Sequence, residues 1–122
     1  MRILLDTHAF LWLVAGDERL PESACGLIER ATSLQLSAAS VWEAEIKRAA
    51  GRLAAPPIAD AAERASVGLL AITPLHATGA AQLPLHHRDP FDRMLVAQAR
   101  AEALVLVSKD DVLRRYGVPV AW

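Results

Sequence analysis

Four acids of this chain, Asp6, Glu43, Asp92 and Asp110, are far apart in sequence, yet each stands beside a short apolar run or at the start of a helical stretch. Gathered in one place, such carboxylates would make an oxygen-lined site for a hard cation. Two unit charges ~6 Å apart repel by about 3 kcal/mol at an effective dielectric of ~20. Four together contain six such pairs, more than the ~5–15 kcal/mol net stability of a small domain can carry. A cluster of this kind takes up protons or holds cations, and an all-oxygen ligand set suits Mg2+ or Mn2+ rather than Zn2+. Each acid also has an ordinary structural role open to it. Asp6 fits a helix N-cap, and Ser40 with Glu43 fits a capping box that has Lys47 one turn on. Asp89 fits an N-cap before Pro90, which leaves Asp92 where the helix dipole favours a carboxylate. Ser108 fits a cap for the last helix, with Asp110 and Asp111 in its acidic first turn. Position alone does not choose between ligand and cap.

The elements that must place these acids follow from apolar runs and helix punctuation. Strands are predicted over Arg2–Leu5, Ser33–Ser37, 69–73, 104–107 and 118–121. Helices are predicted over Thr7–Ala15, 21–31, 40–50, 57–67, 75–83, from Pro90 onward, and over 110–115. Pro21, Pro57 and Pro90 open three of them, and Gly16 and Gly51 close two. The helix over 40–50 is expected to bury Trp42, Ile46, Ala49 and, just beyond it, Leu53; the Pro90 helix is expected to bury Phe91, Met94, Leu95 and Ala99. Short apolar strands separated by helices predict an α/β fold, a central parallel sheet with helices on both faces. In such a sheet the carboxyl edge of the strands forms the ligand crevice. Asp6 ends the first strand, Glu43 and Asp92 are expected in the first turns of their helices, and Asp110 follows the strand over 104–107. Four distant segments would thus bring their acids to one edge.

Composition sets the bounds. At 122 residues, 53% of them hydrophobic and 22% charged, the chain is expected to fold as one domain over 1–122. The single Cys25 excludes an internal disulfide and a cysteine-cluster zinc site, which fits a reducing cytoplasm. The opening apolar run is cut by Asp6 and is too short for an export signal. The stretch 65–87 has no Lys, Arg, Asp or Glu, but Pro74, Pro84, Gln82 and three histidines mark it as helix, strand and loop rather than a membrane span. Thirteen basic against fourteen acidic residues give a net charge of −1, so there is no general attraction to nucleic acid. Any RNA would have to be held by local cations.

The order and spacing of the acidic segments carry a resemblance. LLDTHAFLW (4–12), SAASVWEAEIK (37–47), HRDPFDRMLVAQA (87–99) and VSKD (107–110) resemble the successive acidic motifs of PIN domains, and within those the VapC-type toxins of type II toxin–antitoxin modules. A lone LLDT is weak; the ordered set with DPFDRML, spanning nearly the whole chain, is specific. The resemblance implies a PIN-like fold and a metal-dependent endoribonuclease that leaves a 3′-hydroxyl and a 5′-phosphate. Asp6, Glu43, Asp92 and Asp110 would be its catalytic acids and Mg2+ or Mn2+ ligands. Asp89 is a further candidate, as a peripheral ligand or only a helix cap, and Thr7 and Ser108 match hydroxyl positions beside the acids. His87, Arg88 and Arg93 are candidates for contacting RNA phosphate. The implied partners are RNA, a small cognate antitoxin seated in a groove that Phe10, Trp12 and Leu13 would suit where they are not core, as at least two of the three are expected to be, and a second copy of the chain.

Rival chemistries fit less well. A haloacid-dehalogenase-like phosphatase needs a second Asp two positions after Asp6, where His8 stands. A His/Asp phosphohydrolase built on His86, His87, Asp89 and Asp92 is interrupted by Pro90. No glycine-rich phosphate loop is present. The remaining alternatives are a PIN-like module kept only for binding and a solitary PIN nuclease without an antitoxin.

Overall fold

In the computed structural model, which describes residues 1–122, Ile3, Leu4 and Leu5 have no solvent exposure at all. Burial on both faces is what makes this short apolar run the central strand, β1 (Arg2–Leu5). It pairs in parallel with β2 (Ser33–Ser37) on one side and β4 (Val105–Val107) on the other, with Leu4 opposite both Gln35 and Leu106. β3 (Gly68–Leu70) and β5 (Val120–Ala121) complete a sheet of order β3-β2-β1-β4-β5, parallel throughout. The helices are α1 (Thr7–Ala15), α2 (Glu22–Arg30), α3 (Ala38–Ala49), α4 (Ile58–Arg64), α5 (Pro74–Gln82) and α6 (Pro90–Glu102), with a 3₁₀ helix over Asp111–Tyr116.

Alternation along β1 divides the core in two. Ile3 and Leu5 pack with Phe10 of α1, Ala24 and Ile28 of α2, and Ile58 and Ala62 of α4. Leu4 points the other way, into Leu95, Val96 and Ala99 of α6 and Leu113 of the 3₁₀ helix. Truncating a side chain as enclosed as Leu4 to alanine costs about 3–4 kcal/mol, because the layers on either side cannot close over the gap. The chain order reverses between β1 and β4. Ligand crevices form at such a reversal, and both acid-bearing strand ends, at Asp6 and beyond Val107, lie beside it.

Several elements depart from the expectations. β2 runs directly into α3, with Ser37 as both last strand residue and N-cap, its hydroxyl accepting from Ala39 N at 3.0 Å. The helix therefore starts at Ala38, the capping box of Ser40 and Glu43 does not form, and Glu43 lies in the second turn. Its buried face is Ala39, Ser40 and Ala44. Trp42 is 64% exposed and Ile46 42% exposed, so the expected stripe turns outward, and Ala49 is exposed with it. Small side chains let α3 approach its neighbours closely, while Trp42 lies edge-on to Phe91 with ring centroids 5.3 Å apart. In α6 the buried run is Leu95–Ala99, with Phe91 and Met94 only half-buried. β3 stops at Leu70 because Thr73 and His76 form the reciprocal cap of α5 around Pro74. α4 ends at Arg64, before Ser66 takes a left-handed conformation at φ 57°. The last helix is 3₁₀, capped by Asp110 rather than Ser108. The uncharged stretch over 65–87 folds as strand, helix and loop, and no helix is long and apolar enough to cross a membrane.

Candidate metal centre

Asp6 ends β1 and caps α1, accepting from Ala9 N at 2.7 Å. It is only 8% exposed. Burial pushes its carboxyl above the ordinary range, against the pull of hydrogen bonds from Ser108 and Ala9 and of nearby His8, with Glu43 adding a further push upward. Glu43, one face round from the buried side of α3, accepts the Thr7 hydroxyl at 2.5 Å. Its other oxygen lies 3.8 Å from Lys47 Nζ, the pairing expected one turn on. Thr7 is buried in the first turn of α1, directly after Asp6, so one hydroxyl ties the start of α1 to α3 across the crevice.

Asp92 and Asp110 enter from the other side of the strand reversal. Burial pushes the Asp92 carboxyl up to about 7, Asp89 adds to this, His87 opposes it, and Asp6 and Glu43 raise it further. These influences put Asp92 in electrostatic contact with both acids of the first pair. Asp110 Oδ1 caps the 3₁₀ helix through Val112 N at 3.0 Å, while Oδ2 lies 2.8 Å from His87 Nε2. Ser108 is buried and accepts from Asp110 N at 3.1 Å. Asp89 caps α6 through Phe91 N at 2.8 Å and also lines the crevice. Asp6, Thr7, Glu43, Asp89, Asp92 and Asp110 share the walls of one cavity of about 350 Å³, with His8, Trp12 and Lys109 at its margin. Capping and clustering are thus not alternatives: Asp6, Asp89 and Asp110 do both.

The three residues expected to touch phosphate are placed differently from one another. Arg88 is exposed. Arg93 is turned inward: Nη1 donates to Pro84 O at 3.0 Å and His87 O at 3.4 Å, and Nη2 to Ala80 O at 3.0 Å and Leu83 O at 2.9 Å. A guanidinium committed to four carbonyls, two at the end of α5 and two in the loop before α6, is a brace, not a free phosphate contact. His87 points into the acids instead of outward, with Nε2 3.2 Å from Asp92 Oδ2 as well as 2.8 Å from Asp110 Oδ2. Tyr116, which the sequence did not single out, fixes this loop. Its hydroxyl accepts from His87 N at 2.8 Å and donates to Pro84 O at 2.9 Å.

The donor set fits a divalent cation. Hard carboxylate oxygens from four segments face one cavity, and two of the acids resist ionising as the site stands, the electrostatic condition a cation relieves. Ligand-capable atoms of His87, Asp92 and Asp110 lie within 4.8 Å of one another.

A family model for the PIN domain matches residues 3–119, and the chain belongs to that family. It is 36% identical over 123 residues to Ribonuclease VapC22 of Mycobacterium tuberculosis, covering 96% of this chain and 93% of that protein. The fold is similar to DNA-bound VapBC from Salmonella typhimurium, with a TM-score of 0.73 at 17% identity over 99% of this chain and 97% of that one. It is also similar to VapC20 of Mycobacterium tuberculosis, described as a sarcin–ricin loop cleaving toxin, with a TM-score of 0.66 at 20% identity over 95% of each chain.

Proposed function

We propose that this chain is a Mg2+- or Mn2+-dependent endoribonuclease, the toxin of a type II toxin–antitoxin module, acting in the cytoplasm. The observation that carries the reading is the meeting of Asp6, Glu43, Asp92 and Asp110 in one cavity of a PIN domain. These four acids are the ligand set. Bound there, the cation supplies a water acidified toward neutral pH and offsets charge on the phosphodiester oxygens. The chain's own residues do the positioning. Thr7 fixes the rotamer of Glu43 through its 2.5 Å hydrogen bond, and Ser108 steadies the main chain at Asp110. Asp89 sets the start of α6, so Asp92 faces the cavity from a capped helix. RNA is drawn in by Lys109 in the cavity wall and by exposed Arg88, next in sequence to Asp89, since the overall charge of −1 offers no general attraction.

The antitoxin segment fits a second, larger groove of about 660 Å³ that shares Trp12 and His8 with the acidic cavity. Leu11, Trp12, Leu53 and Ala61 line it, and Phe10, once a candidate for this surface, is buried in the core at 1% exposure. Arg19, Lys47, Arg52 and Arg64 stand along the groove with Asp17 as its only acid, so the segment it suits is apolar with flanking acids. Trp42 and Ile46 on α3 and Leu69, Leu75 and Leu85 are large exposed apolar side chains, which supports pairing with a second copy.

The test is cleavage of a panel of transfer, ribosomal and messenger RNAs by the purified protein with Mg2+ or Mn2+, beside EDTA and the Asp6→Asn variant. Metal-dependent cutting that the variant lacks supports the reading. Absence of cutting across the panel favours a binding-only PIN module.

A further inference from the structure

We propose that His87 is a displaceable clasp of the acidic site: its Nε2–H bridges Asp92 and Asp110, and a divalent cation binds by taking its place. The inference rests on the metal-centre reading above and concerns what competes with the cation. The tautomer follows from the ring's own hydrogen bonds. Asp89 N donates to Nδ1 at 3.0 Å, so Nδ1 offers its lone pair and Nε2 carries the hydrogen. Nε2 lies 2.8 Å from Asp110 Oδ2 and 3.2 Å from Asp92 Oδ2. A nitrogen that donates to these two carboxylates has no lone pair for a metal. It also uses the two oxygens that a cation at this spot would need.

The placement is built rather than incidental. The main chain of His87 is held on both sides, its N–H by Tyr116 Oη at 2.8 Å and its carbonyl by Arg93 Nη1 at 3.4 Å. The ring is 19% exposed. Every polar atom of the residue therefore has a partner, and the ring can leave the acids only by turning about its side-chain torsions while the loop stays fixed. Hydrogen bonds to charged acceptors are the strong ones. Holding Asp92 and Asp110 together without a cation and charging a toll on cation entry are two effects of the same contact.

The experiment measures Mn2+ affinity by calorimetry and the melting temperature in EDTA for wild type, His87→Ala and His87→Gln. Loss of the clasp in His87→Ala should tighten Mn2+ binding by about tenfold, equivalent to about 1.4 kcal/mol, and lower the melting temperature in EDTA. His87→Gln, whose amide nitrogen reaches the position of Nε2, should return both values toward wild type. In the wild-type protein, ¹⁵N spectra should show the Nε2–H tautomer hydrogen-bonded in EDTA and released on adding Mg2+. Weaker Mn2+ binding by His87→Ala would make the residue a ligand and overturn the proposal. Unchanged affinity and melting, or ring signals that Mg2+ does not move, would overturn it as well. Wild-type protein that binds neither metal would overturn the metal centre itself, and the clasp with it.

Discussion

Replacing Asp92 by asparagine should make the EDTA-treated protein more stable while removing its response to metal. Asparagine keeps the shape of the side chain and still presents an oxygen to His87 Nε2, 3.2 Å away in the wild type. What disappears is the charge. A carboxyl whose ionisation is moved from 3.8 to about 7 costs about 4 kcal/mol more to ionise in the folded chain than in the unfolded one at pH 8. A quarter of the side chain touches solvent, and screening there reduces the figure to about 2 kcal/mol. For a domain of this size that is a rise in melting temperature of about 8 °C. The pH dependence is the diagnostic part. At pH 5 the folded wild type already holds the proton, so the gain should shrink to about a third, and near pH 4 it should vanish. Thermal melts of wild type and Asp92→Asn in EDTA at pH 4, 5 and 8 test this, followed by the same melts with Mn2+, which should raise the wild type only. A variant less stable than wild type at pH 8, or a gain that does not depend on pH, would refute the account of Asp92 as a carboxylate kept from ionising chiefly by its burial and further by nearby acids.

Asp6→Asn should keep the α1 cap, since asparagine caps as well as aspartate, and it removes a buried charge; its melting temperature in EDTA near pH 7 should therefore hold or rise while RNA cutting drops by at least about a hundredfold. Tyr116→Phe strands the His87 N–H and frees the Pro84 carbonyl, so it should cost about 1–3 kcal/mol in urea denaturation and lower activity through the displaced loop. Wild-type stability in EDTA should decline as pH rises from about 4 through about 7: the folded protein holds the Asp92 proton that the unfolded chain releases near 3.8, so its contribution is complete below that value and lost above the folded one. Asp17, held down to about 2 chiefly by its hydrogen bonds with Arg19, acts in the opposite sense below pH 4, which puts the optimum near pH 4–5. With Asp92 in the proposed ligand set, Mn2+ affinity measured by calorimetry should rise with pH through about 7, as its carboxyl ionises.

How far the chain could be read from its residues varied with how strongly burial marks sequence. β1 was legible because both faces are enclosed, which demands an unbroken apolar run, and Asp6 interrupts that run at the strand end. The acids were legible as a set through their order and the motifs around them, whereas each one alone also fitted a cap. α3 misled because its buried positions are Ala39, Ser40 and Ala44, which carry almost no hydrophobic signal, while Trp42 and Ile46 on the outer side carry a strong one. Periodicity identifies an apolar stripe but not which side the sheet lies on. The inward turns of Arg93 and His87 depend on the path of the chain from α5 to α6 and on Tyr116, twenty-nine residues beyond His87. No local pattern encodes that path.

The junction at Ser37 has an evolutionary consequence. No loop separates β2 from α3, so the phase of the helix is welded to the phase of the sheet. One residue inserted there would swing Glu43 by roughly 100° about the helix axis and carry it out of reach of Thr7. Length variation among descendants of this chain should therefore accumulate at the turns near Gly16 and Gly51 and be purged at the boundary between Ser37 and Ala38. Deep insertion scanning read out by growth would display that boundary as a sharp gap in tolerance.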